Sequence, residues 1–487
     1  MKTVLNYING AQVEGGGKLF DKFYPASGEL LLKVSFAAEQ DCDSAIAAAS
    51  EGFKKWAVTP PGQRAAVLRK AAQLMRERLD VLAEVEVLDT GKPLREARAD
   101  DVVSAIDCLE YMSAQAATVH AQQYDLGANM AYTRHEPLGV CVGIGAWNYP
   151  IQLIAWKAAP CLAAGNSMVF KPSEMTPSNA VLFAEILSEA GLPPGVFNVV
   201  QGDGQVGRYL AEHPQVAKVS FTGSVASGLK VAASTARMMK KTTLELGGKS
   251  PLIIFADAEI DVAVEAALCS NFSSQGENCC NGTRVFVQAS IYDEFCEKVA
   301  KATKALKVGN PMDLETEIGS LISPQHRDSV CSYIESGVQQ GATLLVGGGV
   351  YVVEGLEGGS FVFPTVFCDC TDEMDIVREE IFGPVMSILK FETEEEVLAR
   401  ANDTLFGLAA GVFTQDISRA LRMTKNLEAG VCWTNTYNVV PAELPFGGYK
   451  NSGLGRENGA YALKEYTQVK SVYIQVERPS FPFKCVK

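Results

Sequence analysis

Short apolar runs alternate with helical patterns through the middle of the chain, and this restricts the fold more than any other feature. The runs fall at 139–144, 167–170, 196–200, 219–221 and 252–255. Strands that are apolar along their whole length are buried on both faces, as in a parallel sheet covered by helices. Each of the first four ends in a loop bearing Gly, Pro or Ser. The expectation is an α/β protein built from βαβ units.

Other segments frame this array. Ile46, Ala49, Phe53 and Trp56 recur at helical spacing, as do Val67, Leu68, Ala71, Leu74 and Met75. Between 117 and 137, two polar-rich stretches flank Gly127-Ala128-Asn129, which reads as a hairpin. A second set of helix and strand patterns runs from about 258 to 445. In the tail, apolar Val472, Ile474 and Val476 alternate with polar Ser471, Tyr473, Gln475 and Glu477, predicting a half-buried strand free to pair with another. With 487 residues, two or three domains are expected at roughly 100–200 residues each.

Charge and composition exclude several classes. The formal net charge is −14, which argues against nucleic acid or an anionic membrane surface as partner and is mildly compatible with a cationic substrate. No apolar h-region follows Met1-Lys2-Thr3, and no run reaches the roughly 18 apolar residues of a membrane span. A soluble, cytoplasmic protein is expected. The 13 cysteines show no paired spacing, and the four histidines (His120, His135, His213, His326) are isolated. Neither a disulfide framework nor a transition-metal site is expected.

Three loops are suited to a dinucleotide. Gly202-Asp203-Gly204-Gln205-Val206-Gly207 follows a predicted strand, and its glycines let backbone approach a pyrophosphate. A tight turn explains the same pattern equally well. Phe221-Thr222-Gly223-Ser224 opens a predicted helix that Ser224 can cap. Lys171-Pro172-Ser173-Glu174 places a Lys and a carboxylate at the end of a parallel strand, where they can hold ribose hydroxyls. The alternative there is a solvated helix start.

Candidate chemistry lies nearby. Ser273-Ser274-Gln275-Gly276-Glu277-Asn278-Cys279-Cys280 sets two adjacent thiols after a small, polar stretch. A thiolate there is a nucleophile if nearby dipoles lower its pKa; two buried structural cysteines are the plainer reading. Glu245, in Thr243-Leu244-Glu245-Leu246-Gly247-Gly248-Lys249, is a carboxylate among apolar residues. That raises its pKa and suits general-base work, although an ion-paired glutamate would look the same.

Taken together, these segments resemble the aldehyde dehydrogenase superfamily across essentially the whole chain. Besides those quoted, Ala146-Trp147-Asn148-Tyr149-Pro150, Glu380-Ile381-Phe382-Gly383-Pro384 and Pro445-Phe446-Gly447-Gly448-Tyr449-Lys450 follow in order and at family spacing. The resemblance implies an aldehyde dehydrogenase fold: a Rossmann-like cofactor domain (1–118 and 138–247), an α/β catalytic domain (248–446), and a β oligomerisation arm with the C-terminal segment (119–137 and 447–487). It implies that Cys279 attacks the aldehyde and that the Asn148 amide and the Cys279 N–H stabilise the oxyanion. Hydride then passes to the nicotinamide, and Glu245 activates the water that hydrolyses the thioester. Lys157 and Glu457 resemble a proton relay, or else a plain buried ion pair. Cys280 is expected to pack or hydrogen-bond.

For the cofactor, the resemblance assigns Lys171 and Glu174 to the adenosine ribose, Ser224 to the pyrophosphate and Gly204 to the adenine side. Glu380 holds the nicotinamide ribose with Phe382 beside it, and Gly145, Ala146, Trp147, Ser173, Phe221, Gly223 and Leu246 are further cofactor-binding candidates. Glu174 binds ribose hydroxyls but repels a 2′-phosphate. NAD is therefore expected, with NADP left open and a potassium ion neither supported nor excluded. One residue departs from the usual Gly-Gln pattern: Glu277 stands two positions before Cys279, and it is expected to point away from the thiol.

Within the superfamily the chain most resembles betaine-aldehyde and 4-trimethylaminobutyraldehyde dehydrogenases. The stretches that carry this are 136–150, 281–287 and Asn435-Thr436-Tyr437-Asn438 with Glu443-Leu444-Pro445-Phe446. A quaternary ammonium is best held by aromatic faces. Tyr149, Trp156, Tyr437 and Phe446 are the cage candidates, with Glu443 a possible acidic partner; core packing is the alternative. Ser273 occupies the position where some plant betaine-aldehyde enzymes carry a cage tryptophan, which leaves room for longer aminoaldehydes. A broad-range aldehyde dehydrogenase and a silent structural protein of this fold remain the competing readings. A small-molecule aldehyde and a homotetramer, a dimer of dimers, are the expected partners.

Overall fold

The computed structural model describes residues 2–118, 121–479 and 481–483. Residues 119 and 120, which begin the expected arm and include His120, lie outside the described residues.

Five parallel strands form the middle of an eight-stranded sheet. In spatial order they are Lys241–Glu245, Val216–Thr222, Val140–Ile144, Ser167–Lys171 and Phe197–Val199. Val140–Ile144 and Ser167–Lys171 are buried at every position, which explains why they read as unbroken apolar runs. Antiparallel strands extend the edges: Gly453–Leu454 on one side, Asn6–Ile8 and Ala11–Val13 on the other. The chain builds outward from Val140–Ile144 in one direction, then returns to its opposite side with Val216–Thr222. The order reverses between these two strands, and such a switch point opens a crevice beyond the strand ends.

Helix Glu39–Trp56 buries Ile46, Ala49 and Trp56, and helix Pro61–Glu77 buries Leu68, Ala71, Leu74 and Met75, while Phe53 and Val67 of the expected stripes are only partly covered. A second sheet of seven strands begins at Pro251–Ile254 and is parallel except for its edge strand Thr343–Val346. The two large cavities open at the ends of the first sheet's parallel strands, and loops of the second sheet line one of them.

A third, three-stranded sheet pairs Gln123–Leu126 with Asn129–Pro137, and Asn129–Pro137 with Thr467–Ile474, all antiparallel. The hairpin turn falls at Gly127-Ala128, as expected. The tail strand differs from the expectation in two ways. It begins and ends earlier than 471–477, because pairing with Asn129–Pro137 sets its length. It is also not half-buried among the described residues: Val469 and Tyr473 on one face and Ile474 on the other are exposed, and Val472 beside Ile474 is only partly covered.

Candidate active site

The Cys279 loop starts where helix Ile260–Phe272 stops. Ser274, Gln275 and Gly276 all take left-handed backbone, with φ of 51°, 46° and 77°. For Ser and Gln this conformation is strained and persists only where surroundings enforce it. Several contacts do so. Glu96 accepts a 2.6 Å hydrogen bond from the Ser274 N–H. Asn281 Nδ2 donates to Gly276 O at 2.9 Å. Gly276 packs so closely on the Gly383 carbonyl that a side chain would overlap it.

The turn leads Cys279 to a cavity of about 470 Å³ that Asn148, Glu245 and Glu457 also line. Asn148 comes from the loop after Val140–Ile144, and Glu245 ends its strand, so three distant sequence segments meet here. The thiol of Cys279 is held above its ordinary pKa, first by the adjoining Cys280 thiol and then by burial. Cys280 itself is buried, with its Sγ 3.2 Å from Asn278 Oδ1 and 3.4 Å from Asn438 Oδ1, the packing role expected of it. Glu245 has neither carboxylate oxygen bonded to protein, and burial, then Glu457, raises its pKa well above the carboxylate range. A buried carboxyl without protein partners can take up and release a proton at a bound water.

Behind Glu245, Lys157 Nζ donates to Glu457 Oε1 at 2.5 Å and to Thr222 Oγ1 at 2.7 Å, and Ser220 Oγ donates to Glu457 Oε1 at 2.9 Å. Glu457 Oε2 is buried and unbonded. The expected Lys157–Glu457 pair therefore exists. Its partners Ser220 and Thr222 were not foreseen, although their spacing puts both on one face of Val216–Thr222, with Phe221 on the other.

A second cleft, of about 900 Å³, opens at the switch point. It gathers Gly145, Ala146, Trp147, Lys171, Ser173, Glu174, Gly204, Phe221, Gly223 and Ser224. Ser224 caps helix Val225–Ala236 by accepting from the Ser227 N–H. Asp203, not a glycine, caps helix Gly204–Glu212. Lys171 Nζ is buried and donates to Pro172 O and Gly202 O, and Glu174 stands 3.6 Å from it, half in solvent. Arg208, Lys230 and Arg237 also line this cleft and were not foreseen. Such cations at a helix start and along the next helix have no pattern of their own in sequence.

Leu246, Glu380 and Phe382 lie outside that lining. Leu246 is buried under Gly228. Glu380 accepts from the Gly248 N–H at 3.0 Å, and burial raises its pKa to about 7. Phe382 meets Trp147 edge to face at 5.1 Å, so this pair joins the cleft to the Cys279 side. Among the described residues, no group of three or more His, Cys, Asp or Glu is placed to hold a metal ion, and no helix is long and apolar enough to cross a membrane.

Tyr149, Trp156, Tyr437 and Phe446 all line the 470 Å³ cavity. Their faces are partly committed. Lys92 Nζ stands 3.8 Å from the Tyr149 ring centroid, Trp156 and Phe446 meet edge to face at 5.3 Å, and the Tyr437 hydroxyl donates to Cys280 O at 2.9 Å. Tyr437 thus steadies the Cys279–Cys280 loop. Ser273 borders the cavity, as do Asp100 and Asp107, and no Lys, Arg or His does among the described residues. Glu443 is not in the lining; it acts on Asp107 electrostatically.

Glu277 points away from Cys279. Its oxygens accept from the Ile322 N–H at 2.9 Å and from Gln275 Nε2 at 2.8 Å.

The aldehyde dehydrogenase family model matches residues 12–472. A Bacillus cereus aldehyde dehydrogenase in an NAD+ complex is 41% identical, with 98% of this chain and 97% of that one covered and a TM-score of 0.95. A Staphylococcus aureus betaine aldehyde dehydrogenase variant is 36% identical over 99% and 98%, with a TM-score of 0.96. The indole-3-acetaldehyde dehydrogenase AldA of P. syringae is 37% identical over 97% and 96%, with a TM-score of 0.95. A thiol, an amide and an unpaired carboxyl facing one cavity beside a switch-point cleft, on a backbone this close to theirs, show that the chain belongs to the aldehyde dehydrogenase family.

Proposed function

We propose that this protein oxidises a cationic aldehyde, a trimethylammonium or amino aldehyde, to its carboxylic acid with NAD. The observation that carries the reading is the lining of one cavity: Cys279, Asn148, unpartnered Glu245, Asp100 and Asp107, with no basic side chain among the described residues. Carboxylates attract an ammonium, and aromatic walls accept its alkyl groups.

The residues present fit a dinucleotide. Gly223 and Ser224 provide a helix start for a pyrophosphate, Glu174 provides an acceptor for ribose hydroxyls, and Glu380 and Phe382 flank the far end. The nicotinamide, when bound, supplies the hydride acceptor. Cys279 reacts as the thiolate: its proton passes to solvent, and the sulfur bonds to the aldehyde carbon as the C=O pair shifts to oxygen. Asn148 donates to the oxygen as negative charge develops there. After oxidation, Glu245 takes a proton from water, and that water attacks the thioester. Glu457 and Lys157 carry the proton on. Glu174 favours NAD over NADP through repulsion of a 2′-phosphate.

We assign the cofactor and catalytic parts to 1–118 with 138–247, and to 248–446; the separate large sheets support this. The exposed arm strand Thr467–Ile474 supports a homotetramer. The test is NADH formation by the purified protein with betaine aldehyde, 4-trimethylaminobutyraldehyde, 4-aminobutyraldehyde and a neutral aromatic aldehyde. The cationic substrates are expected to give the higher kcat/KM. Preference for the neutral aldehyde would overturn the substrate class, and no signal with any aldehyde would overturn the enzyme reading.

A further inference from the structure

Glu277 stands where the family resemblance has glutamine, and the structure shows what the carboxyl does there. It is buried, with 1% of its surface exposed. One oxygen receives the Ile322 N–H and the other the Gln275 amide. Its own N–H closes the turn on Ser274 O at 2.9 Å. Glu277 therefore holds the strained Ser274–Gln275 pair from both backbone and side chain, and anchors it to a segment remote in sequence.

The same carboxyl reaches toward the cofactor cleft. His326 Nε2 lies 3.7 Å from Glu277 Oε1 and donates to Phe382 O at 2.7 Å. A carbonyl only accepts, so that nitrogen carries the proton. Trp147 packs edge-on against both the His326 ring, at 5.3 Å, and Phe382. The chain of contacts runs from the nucleophile loop through Glu277 and His326 to the Trp147–Phe382 pair.

We propose that Glu277 is a positioning residue that pins the left-handed turn before Cys279 to Ile322 and His326, and so sets where the thiol stands relative to the Phe382 end of the cofactor cleft. This rests on Cys279 being the nucleophile. The electrostatics fit. Burial raises the Glu277 pKa to about 8, so at neutral pH it is mainly the neutral acid, close in shape and charge to the glutamine it replaces. The groups facing it are Lys92, His326, the Gln275 amide and the Ile322 N–H. Burial lowers the His326 pKa, so His326 is neutral there. An ionised Glu277 would have Lys92 as its only charged counterpart among them.

The experiment compares wild type, Glu277→Gln, Glu277→Ala and Cys279→Ala. Read out are kcat, KM for NAD, and the rate at which iodoacetamide alkylates the active-site thiol. Glu277→Gln is the conservative rescue and is expected to keep kcat, because its amide oxygen accepts the same Ile322 bond. Glu277→Ala is expected to lose kcat and alkylation rate together, about ten- to a hundredfold, as for a reacting group moved by up to an ångström, with KM for NAD little changed. Wild-type values in Glu277→Ala would overturn the proposal, as would a Glu277→Gln loss equal to that of Ala. If Glu277→Ala does not fold, alkylation of wild type and Glu277→Gln is compared across the pH at which Glu277 ionises. Wild type should lose reactivity relative to Gln as pH rises through about 8, and superimposable profiles would overturn the proposal. Turnover by Cys279→Ala would instead sink the nucleophile assignment, whatever the Glu277 variants do.

Discussion

Two adjacent thiols in this chain have different surroundings, and the difference predicts different mutants. Both border the cavity shared with Asn148 and Glu245, but Cys279 is the more exposed, whereas Cys280 is buried with its sulfur against Asn278 and Asn438. Cys279→Ala is expected to abolish NADH formation while NAD still quenches tryptophan fluorescence; Cys280→Ala should keep most turnover. Reversed outcomes would reassign the nucleophile. Glu245 makes a second prediction. Glu245→Gln should retain a first-turnover burst of NADH and lose about 100- to 10,000-fold in steady-state rate, the usual worth of a general base. Only the ionised carboxylate accepts a proton, and burial raises its pKa. Wild-type deacylation should therefore fall on acidification at a pH above the ordinary carboxylate range. A pH-rate profile of single-turnover thioester hydrolysis checks this.

At the scale of elements, two short segments shape the site. The turn Ser274–Gly276 depends on a glycine at φ 77° that packs on the Gly383 carbonyl. Gly276→Ala combines backbone strain with a clash and should cost about 1–3 kcal/mol of stability, seen as a lowered Tm with reduced kcat. The helix Val102–Gln115 and the π-helical turn Ala97–Asp101 before it present Asp100, Val103, Ser104 and Asp107 to the cavity, spaced as on one helical face. Asp100→Asn and Asp107→Asn should each raise KM for a cationic aldehyde about two- to fivefold, the worth of a partly exposed ion pair. KM for a neutral aldehyde should stay unchanged. Equal effects on both substrates would remove these carboxylates from substrate selection.

At the scale of the molecule, the arm sheet stands out because its last strand has little cover. Val469 and Tyr473 are exposed on Thr467–Ile474. An apolar edge strand is normally paired or covered. The double variant Val469→Lys with Tyr473→Lys should lower the molar mass measured by light scattering, with the monomer fold intact by circular dichroism. An unchanged mass would place the assembly surface elsewhere.

Much of this was legible in the sequence because it is local. Unbroken apolar runs mark buried parallel strands whatever their neighbours, so the βαβ array and the switch-point loops could be read directly. The family motifs at their spacing brought Cys279, Asn148 and Glu245 forward. Other properties depend on segments far apart meeting in space. That Glu245 has no protein partner, that Lys92 covers Tyr149, and that Glu277 turns to Ile322 are set by packing between distant elements. The tail strand taught the same lesson. Its alternation was visible, but its register came from Asn129–Pro137, and the exposure of Val469, Tyr473 and Ile474 came from what the described residues pack around it. The sequence by itself determined which elements form and which residue types carry the chemistry, because periodicity and side-chain chemistry are local. Only the tertiary structure decided which charges are buried, paired or unpartnered, because desolvation and hydrogen bonding depend on every element packed around a group.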